Sequence, residues 1–299
     1  MSTLPFFVFY SIFGFQRVAD LIYAVGDQHA RGFLLGATSG RTTLNGEVLQ
    51  YKDGHSHIMA YGYPHIVAYD PAFAYEVAII IREVIRRMQV QGESVIYYIT
   101  MTNENYEMPH MPSGSEEGIL RGMHRVRASE HGRRGKRAHL FGSGAILNEA
   151  LKAQQILEAE YGVAADVWSI TSFKQLRQDG AEVECWNLLH ADEPSRRSYI
   201  VQCLEGSTGA FVVASDYVKA LPDSIARWFP TALVTLGTDG FGRSESRPAL
   251  RRYFGVDANM IAWAALVGLS RQGQVAAAVL NKARVALAID PARADPLHI

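Results

Sequence analysis

An amphipathic helix followed directly by an apolar strand constrains the fold of this chain more than any other feature. Apolar side chains recur at the i, i+3, i+4 and i+7 positions of one helix: Phe73, Val77, Ile80, Ile81, Val84, Ile85 and Met88. Gly92 ends this helix, and residues 94–100 (SVIYYIT) are typical of a strand. Helices and strands in this alternating order indicate an α/β fold with a parallel sheet.

The start of the chain has the same alternation. Residues 4–10 are apolar and aromatic and have the composition of a buried strand, which needs a neighbouring strand on each side. The chain opens only a few residues before this strand, so we expect its apolar edge around residues 6–10 to be exposed. A helix is predicted over residues 11–24. Its apolar side chains share one face: Phe15, Val18, Leu21 and Ile22. We interpret residues 31–54 mostly as loop and residues 66–68 as a short strand.

A second series of strands and helices begins near residue 138. Strands are predicted at residues 138–141, 166–171, 211–215 and 233–237. The first helix of the series has one apolar face and ends at Gly162; the face consists of Ile146, Ala150, Ala153 and Leu157. Two amphipathic helices, around residues 261–269 and 275–288, complete the series. The predicted fold class is therefore α/β, with mostly parallel sheets and flanking helices.

A basic stretch, residues 110–136, separates the two series. We interpret it as a solvated linker and not as a nucleic-acid patch, because no aromatic residues alternate with its charges and the net charge of the chain is −1. The predicted domains are residues 1–124, ending in this basic linker, and residues 125–299.

Length and composition agree with this organisation. A chain of 299 residues suffices for about two domains, and 48% of the residues are hydrophobic. The cysteines, Cys185 and Cys203, form no CxxC pair, which favours a reduced, cytoplasmic protein. The first residues lack a basic region and a cleavage site, and charge or glycine interrupts every long apolar run. We expect no membrane and no nucleic-acid partner.

Two glycine patterns invite a nucleotide-binding interpretation, and both lack a required residue. Residues 142–144 (GSG) are followed by Leu147 where a dinucleotide fingerprint needs a small residue. Residues 237–242 (GTDGFG) are not followed by the lysine of a phosphate-binding loop. We interpret both as turns between a strand and a helix.

A polar element, residues 53–57 (DGHSH), carries the densest chemistry of the chain. Asp53, His55 and His57 could form hydrogen bonds within a loop, perform acid/base catalysis, or bind a metal. Histidine exchanges protons near neutral pH. Histidines two positions apart do not match the usual spacing of closed zinc sites. The residues alone leave the three alternatives open.

Several motifs together resemble the homodimeric pyruvate dehydrogenases, which depend on thiamine diphosphate and are related to transketolase. They are the aromatic run at residues 5–17 (PFFVFYSIFGFQR), the loop at 38–47 (TSGRTTLNGE), residues 53–57, residues 103–106 (NENY) and residues 237–244 (GTDGFGRS). The resemblance implies an incomplete pyrimidine-binding domain followed by a transketolase-type C-terminal α/β domain. It implies no metal ligand within this chain.

The resemblance also implies roles for individual residues. Phe13 corresponds to the aromatic residue that stacks on the aminopyrimidine ring of the cofactor, and Tyr10 lies one step nearer the substrate, where it serves both binding and catalysis. Asp53 and His57 match the transketolase-type pair that faces the substrate, with His55 between them. These four residues, Tyr10, Asp53, His55 and His57, form the predicted catalytic set.

Two departures from the family pattern affect these expectations. The family has His-Glu where this chain has Tyr51 and Lys52, and a tyrosine, with an ordinary pKa of about 10, is a weaker proton donor at neutral pH. The resemblance also covers only the C-terminal part of the family. The domain that binds the diphosphate and Mg²⁺, and the glutamate that activates the cofactor, would precede Met1. We expect the chain to be inactive without that half.

The predicted reaction is the oxidative decarboxylation of pyruvate, next to glycolysis, with transfer of the acetyl unit to a lipoyl group. The expected partners are the missing N-terminal half or a partner subunit, in a homodimer or heterodimer, and a lipoyl-bearing acetyltransferase. One alternative is a non-catalytic dimerisation or regulatory module. Another is a transketolase-like enzyme that acts on a different 2-oxo acid or on a ketose.

Overall fold

A computed structural model of the chain describes residues 3–46, 52–131 and 135–298. Two β-sheets organise these residues. The strands are β1 (Phe6–Phe9), β2 (Gly32–Ala37), β3 (Ile66–Tyr69), β4 (Ile96–Met101), β5 (Met123–Arg127), β6 (Arg137–Gly142), β7 (Ala164–Ile170), β8 (Ala210–Ala214) and β9 (Leu233–Leu236). The helices are α1 (Gly14–Asp27), α2 (Ser56–Met59), α3 (Ala74–Ile85), α4 (Glu116–Arg121), α5 (Leu147–Tyr161), α6 (Phe173–Leu189), α7 (Tyr199–Cys203), α8 (Ala220–Asp223), α9 (Arg247–Phe254), α10 (Ala258–Arg271) and α11 (Ala277–Ala286).

The first sheet has the strand order β1-β2-β4-β3, and all its strands are parallel. The predicted helix that includes Phe73 and Met88 and ends at Gly92 is confirmed as α3, which continues into a π-helical turn at Arg86–Val90. Its buried side chains Ile80, Val84 and Met88 pack on one face of the sheet. Phe15 and Ile22 of α1 pack on the other face, so helices cover both sides as a parallel sheet requires.

One prediction for this sheet is wrong. Residues 32–37 form β2, next to the sheet's centre, although we expected a loop there. Gly32 and Gly36 flank the apolar residues 33–35 (FLL), so the apolar run is too short to predict a strand. The expected exposed edge around residues 6–10 is confirmed, because Phe6, Phe7 and Val8 are 54%, 55% and 63% exposed. Among the described residues, β1 is an edge strand that pairs with β2 alone.

The second sheet has the order β5-β7-β6-β8-β9, with β5 antiparallel to β7 and the other pairs parallel. The four strands predicted in this half are confirmed within one or two residues at each end. Helices α5 and α10 pack together on one face of the sheet. Their buried alanines, including Ala150 and Ala262, allow the helices to approach the sheet closely.

The prediction of a solvated basic linker is also wrong. Residues 110–136 contain α4 and β5, and Ile119, Met123 and His124 are buried. The arginines lie on the exposed side of these elements, and the apolar residues between them pack inward. The predicted boundary between residues 124 and 125 falls within β5, a strand of the second sheet. The domain limits stay a prediction.

The carboxyl ends of the two sheets face each other. Asp70, which follows β3, donates its backbone N–H to the carbonyl of Thr171, which follows β7, at 2.8 Å. Lys174, at the start of α6, inserts its ammonium group into the first domain. Its Nζ donates to the carbonyl oxygens of Ala60, Tyr63 and Ile66 at 2.8, 2.6 and 2.6 Å. The loops that follow the strands are therefore enclosed between the domains.

The stretch Arg247–Arg271 is long and apolar enough to cross a membrane, by length and composition only. It consists of α9 and α10, separated by Gly255 with a φ of 70°. Leu250, Ile261 and Leu266 of this stretch lie in the core of the second domain. A core helix pair has the same apolar composition as a span, so this feature is weak support for a membrane segment.

Candidate functional site

An aromatic turn follows β1 at the carboxyl edge of the first sheet. The rings of Tyr10 and Phe13 meet edge to face, with centroids 6.1 Å apart. The guanidinium carbon of Arg17 lies 3.9 Å from the centroid of the Phe13 ring. Tyr10 is exposed and Phe13 is half-buried. The next residue is Gly14. A β-carbon at this position would lie 1.9 Å from Cε2 of the Phe9 ring, so only glycine fits here.

A polar loop, residues 38–46, lies beside the aromatic turn. The hydroxyl of Ser11 donates to the carbonyl of Thr38 at 2.7 Å and joins the turn to the loop. From the second domain, the carboxylate of Asp216 accepts hydrogen bonds from Thr42 N and Thr42 Oγ1 at 3.1 and 3.0 Å. The guanidinium of Arg41 donates to the carbonyl of Gly240. Both domains therefore hold the loop.

The carboxylate of Asp53 organises the turn of the DGHSH element. Its Oδ1 accepts the backbone N–H groups of His55 and Ser56 at 3.1 and 3.0 Å, and its Oδ2 accepts the hydroxyl of Ser56 at 2.5 Å. The residue is fully buried. These bonds match the loop hydrogen-bonding alternative for Asp53. Gly54 is needed beside it, because a β-carbon there would lie 2.0 Å from Arg41 Nε.

His57 is buried between the domains and not directed to the surface. Its Nε2 lies 2.9 Å from Thr100 Oγ1. That hydroxyl has one proton and faces two acceptors, Asp70 Oδ1 at 2.6 Å and the carbonyl of Tyr69 at 3.2 Å. Nε2 of His57 must therefore carry the proton and donate to Thr100. Burial lowers the pKa of His57 to about 3, so the ring is neutral at physiological pH.

His55 is the half-buried histidine of the element and lies on its outer side. Its Nε2 is 2.8 Å from the side-chain nitrogen of Gln16, in the first turn of α1. Gln16 lies three residues after Phe13, so this contact joins the imidazole to the helix that follows the aromatic turn. Tyr10 is exposed and Phe13 and His55 are half-buried, whereas Asp53 and His57 are buried. Tyr51 lies outside the described residues, and Lys52 is buried.

Two buried carboxylates near this site, Asp70 and Asp216, were not predicted from the sequence. Burial raises the pKa of Asp70 to about 6 and that of Asp216 to about 7. Asp70 follows β3 and Asp216 follows β8, so a polar residue just after a predicted apolar strand was the signal that could have identified them. The ring of Tyr217, next to Asp216, lies edge-on to His57 with centroids 4.9 Å apart.

The two remaining sequence signatures lie at the domain interface. Glu104 of the NENY segment accepts hydrogen bonds from the guanidinium of Arg251, which also donates to Glu149 at 3.3 Å. In the GTDGFGRS segment, the carbonyl of Gly240 accepts a hydrogen bond from Arg41 of the first domain, and the Asp239 carboxylate accepts the backbone N–H of Lys219 within the second domain at 2.9 Å. Neither segment contacts the aromatic turn through these bonds. Among the described ranges, no group of three or more His, Cys, Asp or Glu side chains could hold a metal ion.

The fold and the position of the site define a class of two-domain α/β proteins. Transketolase from Leishmania mexicana superposes on 90% of this chain with a TM-score of 0.65 and 14% identity, and the match covers 34% of that protein. A structure described as a split gene transketolase, inactive beta4 tetramer, matches 90% of this chain and 77% of its own, with a TM-score of 0.57 and 16% identity. At these identities the likeness establishes a transketolase-like fold.

Sequence comparisons define the family within this class. Residues 1–109 match the pyruvate dehydrogenase E1 component middle domain, and residues 122–257 match the transketolase-like C-terminal domain. The chain is 47% identical over 298 residues to the pyruvate dehydrogenase E1 component of Pseudomonas aeruginosa, and equally to that of Escherichia coli. It therefore belongs to the pyruvate dehydrogenase E1 component family and corresponds to the C-terminal portion of its members. It spans 33% of the length of these relatives.

Proposed function

We propose that this chain forms the aminopyrimidine side of a thiamine-diphosphate-dependent active site that decarboxylates pyruvate. The observation that carries the proposal is the linkage, at the carboxyl edge of the first sheet, of the aromatic turn to the polar loop through Ser11 and of the helix that follows it to His55 through Gln16. Open parallel sheets bind ligands at this edge. The names of the relatives supply the reaction, and the identity extends over 98% of this chain.

The residues at this edge suit an aromatic ring. Phe13 presents a half-buried ring, and Tyr10 lies next to it on the solvent side. Thiamine diphosphate, when bound, supplies the electron sink for decarboxylation. Phe13 would contact its aminopyrimidine ring, and Tyr10 and His55 would face the substrate. The described residues form no cluster suited to Mg²⁺, so we assign the metal and the diphosphate to a complementary domain or subunit.

The exposed strand β1 supports a complementary subunit. Within residues 3–46, 52–131 and 135–298, nothing pairs with one hydrogen-bonding edge of β1, and its apolar side chains are exposed; both are features of surfaces that pair with another chain. We propose that the chain forms a homodimer or heterodimer in the cytoplasm, where we expect the reaction to take place. This dimer would pass the acetyl unit to a lipoyl-bearing acetyltransferase. The split gene transketolase offers a precedent, because its inactive β-chain tetramer has the fold of this chain.

Reconstitution tests the proposal. The chain is co-expressed with the N-terminal two thirds of the Escherichia coli relative, and pyruvate-dependent reduction of an artificial electron acceptor is measured with thiamine diphosphate and Mg²⁺. We expect turnover by the mixture and none by either part. Phe13→Ala should weaken cofactor binding through the loss of a ring contact of about 1 kcal/mol, whereas Phe241→Ala, an exposed phenylalanine of the second domain, should not. An affinity for thiamine diphosphate that is unchanged by Phe13→Ala would contradict the assignment.

A second candidate function is a non-catalytic dimerisation or regulatory module. The inward direction of Asp53 and His57 favours it, since neither side chain reaches the surface of this chain. Tyr51→His separates the two functions, because it restores the family residue. If reconstituted mixtures with either residue bind the cofactor and neither turns over pyruvate or another 2-oxo acid, the module is the better description.

A further inference from the structure

The side chain of Gln16 has a specific place in the candidate site. It lies in the first turn of α1, 39 positions before His55 in the chain, and its Nε2 is 2.8 Å from the Nε2 of that histidine. The next residue, Arg17, covers the ring of Phe13. One turn of helix therefore contacts both the ring assigned to the cofactor and the outer histidine.

We propose that Gln16 is a positioning residue that donates its amide N–H to Nε2 of His55 and thereby holds the imidazole as the Nδ1–H tautomer beside the aromatic turn. A neutral imidazole carries one proton, so the nitrogen that accepts a hydrogen bond leaves the proton on the other. The relevance of this tautomer to catalysis rests on the proposed function. The tautomer itself does not.

The backbone of His55 is fixed independently of its ring. Its N–H donates to Asp53 Oδ1 at 3.1 Å, which sets the position of the residue within the DGHSH turn. The side chain of His55 can then move only by rotation about its own bonds, and the hydrogen bond to Gln16 restricts this rotation. Because Gln16 lies on the surface and forms no part of the core, its replacement should leave the fold intact.

The neighbouring histidine has the opposite tautomer. His57 must donate through Nε2, because the Thr100 hydroxyl donates its one proton to the carboxylate of Asp70. His55 and His57, two positions apart, are therefore held as opposite tautomers by two different side chains, Gln16 and Thr100. His57 supplies an internal reference against which a change at His55 can be measured.

Nuclear magnetic resonance of the chain with ¹⁵N-labelled histidine tests the proposal directly. Correlations between ring nitrogens and carbon-bound protons distinguish a protonated from an unprotonated nitrogen, and His55→Asn identifies the signals of His55. In the wild type we expect an unprotonated Nε2 at His55 and a protonated Nε2 at His57. Gln16→Leu should shift the tautomer ratio at His55 by about fivefold, the equivalent of one net hydrogen bond. Gln16→Glu, which can only accept, should protonate Nε2.

Two controls and a second readout separate this proposal from the proposed function. Gln28→Leu, at the exposed opposite end of α1, should change neither histidine. In the reconstituted enzyme, Gln16→Leu should lower kcat about fivefold and leave KM unchanged. A protonated Nε2 at His55 in the wild type, or identical His55 signals in the wild type and Gln16→Leu, would overturn the proposal whether or not the enzyme is active. Failure of reconstitution with the expected spectra would count only against the proposed function.

Discussion

Thr42 and Asp216 join the two domains through one carboxylate. Both the backbone N–H and the hydroxyl of Thr42, in the polar loop of the first domain, donate to Asp216, which follows β8 of the second domain. The two residues are 174 positions apart, and both are buried. The position of the loop beside the candidate site therefore depends on a side chain of the other domain.

The burial of Asp216 predicts a pH-dependent stability. Its pKa is about 7 in the folded protein and about 3.8 in the unfolded chain, so the folded state binds the proton more tightly. Stability contributed by this group is present below about pH 4 and is lost as the pH rises to about 7, by about 1.4 kcal/mol per pH unit. Asp216→Asn should reduce this decline in urea unfolding between pH 5 and 8. Asp192→Asn, at an exposed site, is the control; an equal slope in both variants would contradict the prediction.

His57 should have the opposite pH dependence. Its pKa is about 3 in the folded protein and about 6.5 when unfolded, so the unfolded state takes up a proton first as the pH falls. Stability from this group is complete above about pH 6.5 and is lost toward pH 3, again by about 1.4 kcal/mol per unit. His57→Gln should flatten the acid limb of the stability curve. His110→Gln, on the surface, should not, and a wild-type slope in His57→Gln would show that the ring is charged when folded.

Gly54 should tolerate no side chain. A β-carbon there would lie 2.0 Å from Nε of Arg41, which is itself buried. We expect Gly54→Ala to destabilise the protein by about 1–3 kcal/mol through overpacking and to displace Arg41 from the carbonyl of Gly240. Gly62→Ala is the matched control, because its nearest neighbour would be 3.9 Å away. Equal thermal stability of the two variants would refute the prediction.

Lys174 should contribute strongly to the attachment of the two domains. Its ammonium group satisfies three carbonyls of the first domain, and burial lowers its pKa to about 8. Lys174→Met leaves these acceptors without donors and should cost about 2–4 kcal/mol in urea unfolding. Lys152→Met removes the ion pair of an exposed lysine with Glu149, which keeps its hydrogen bonds to Arg251 and Ala258, and should cost less than about 1 kcal/mol. A smaller cost for Lys174 than for Lys152 would exclude this role.

The exposed edge of the first sheet should drive association. Val8, in the middle of β1, is 63% exposed, and a charge there should weaken any pairing along the strand. We expect the wild type to associate in multi-angle light scattering and Val8→Lys to shift the distribution toward monomer. Val90→Lys, at a residue 79% exposed after α3, should leave association unchanged. A monodisperse wild-type monomer at high concentration is the contrary result.

Local patterns in the sequence identified most of the fold. The spacing of Ile80, Val84 and Met88 was sufficient for α3, because a helix records its buried face in its own residues. β2 was missed since Gly32 and Gly36 interrupt a short apolar run. The composition of β1 does not by itself separate a central strand from an edge strand, and the structure confirms the expected exposed edge. Helix α4 and strand β5 of the basic stretch were not predicted, because the charged residues dominate its composition. The burial of the apolar residues between those charges cannot be read from the sequence.

The sequence alone determined the α/β class, the two successive domains and the motifs of the thiamine-enzyme family, because these depend on residues close together in the chain. Only the tertiary structure decided which histidine of the DGHSH element is accessible. That outcome depends on Thr100 and Tyr217, which lie 43 and 160 positions beyond His57 in the chain. The proton state of His57 follows from Thr100 of the same domain and its enclosure from Tyr217 of the other domain, and no local pattern encodes either contact.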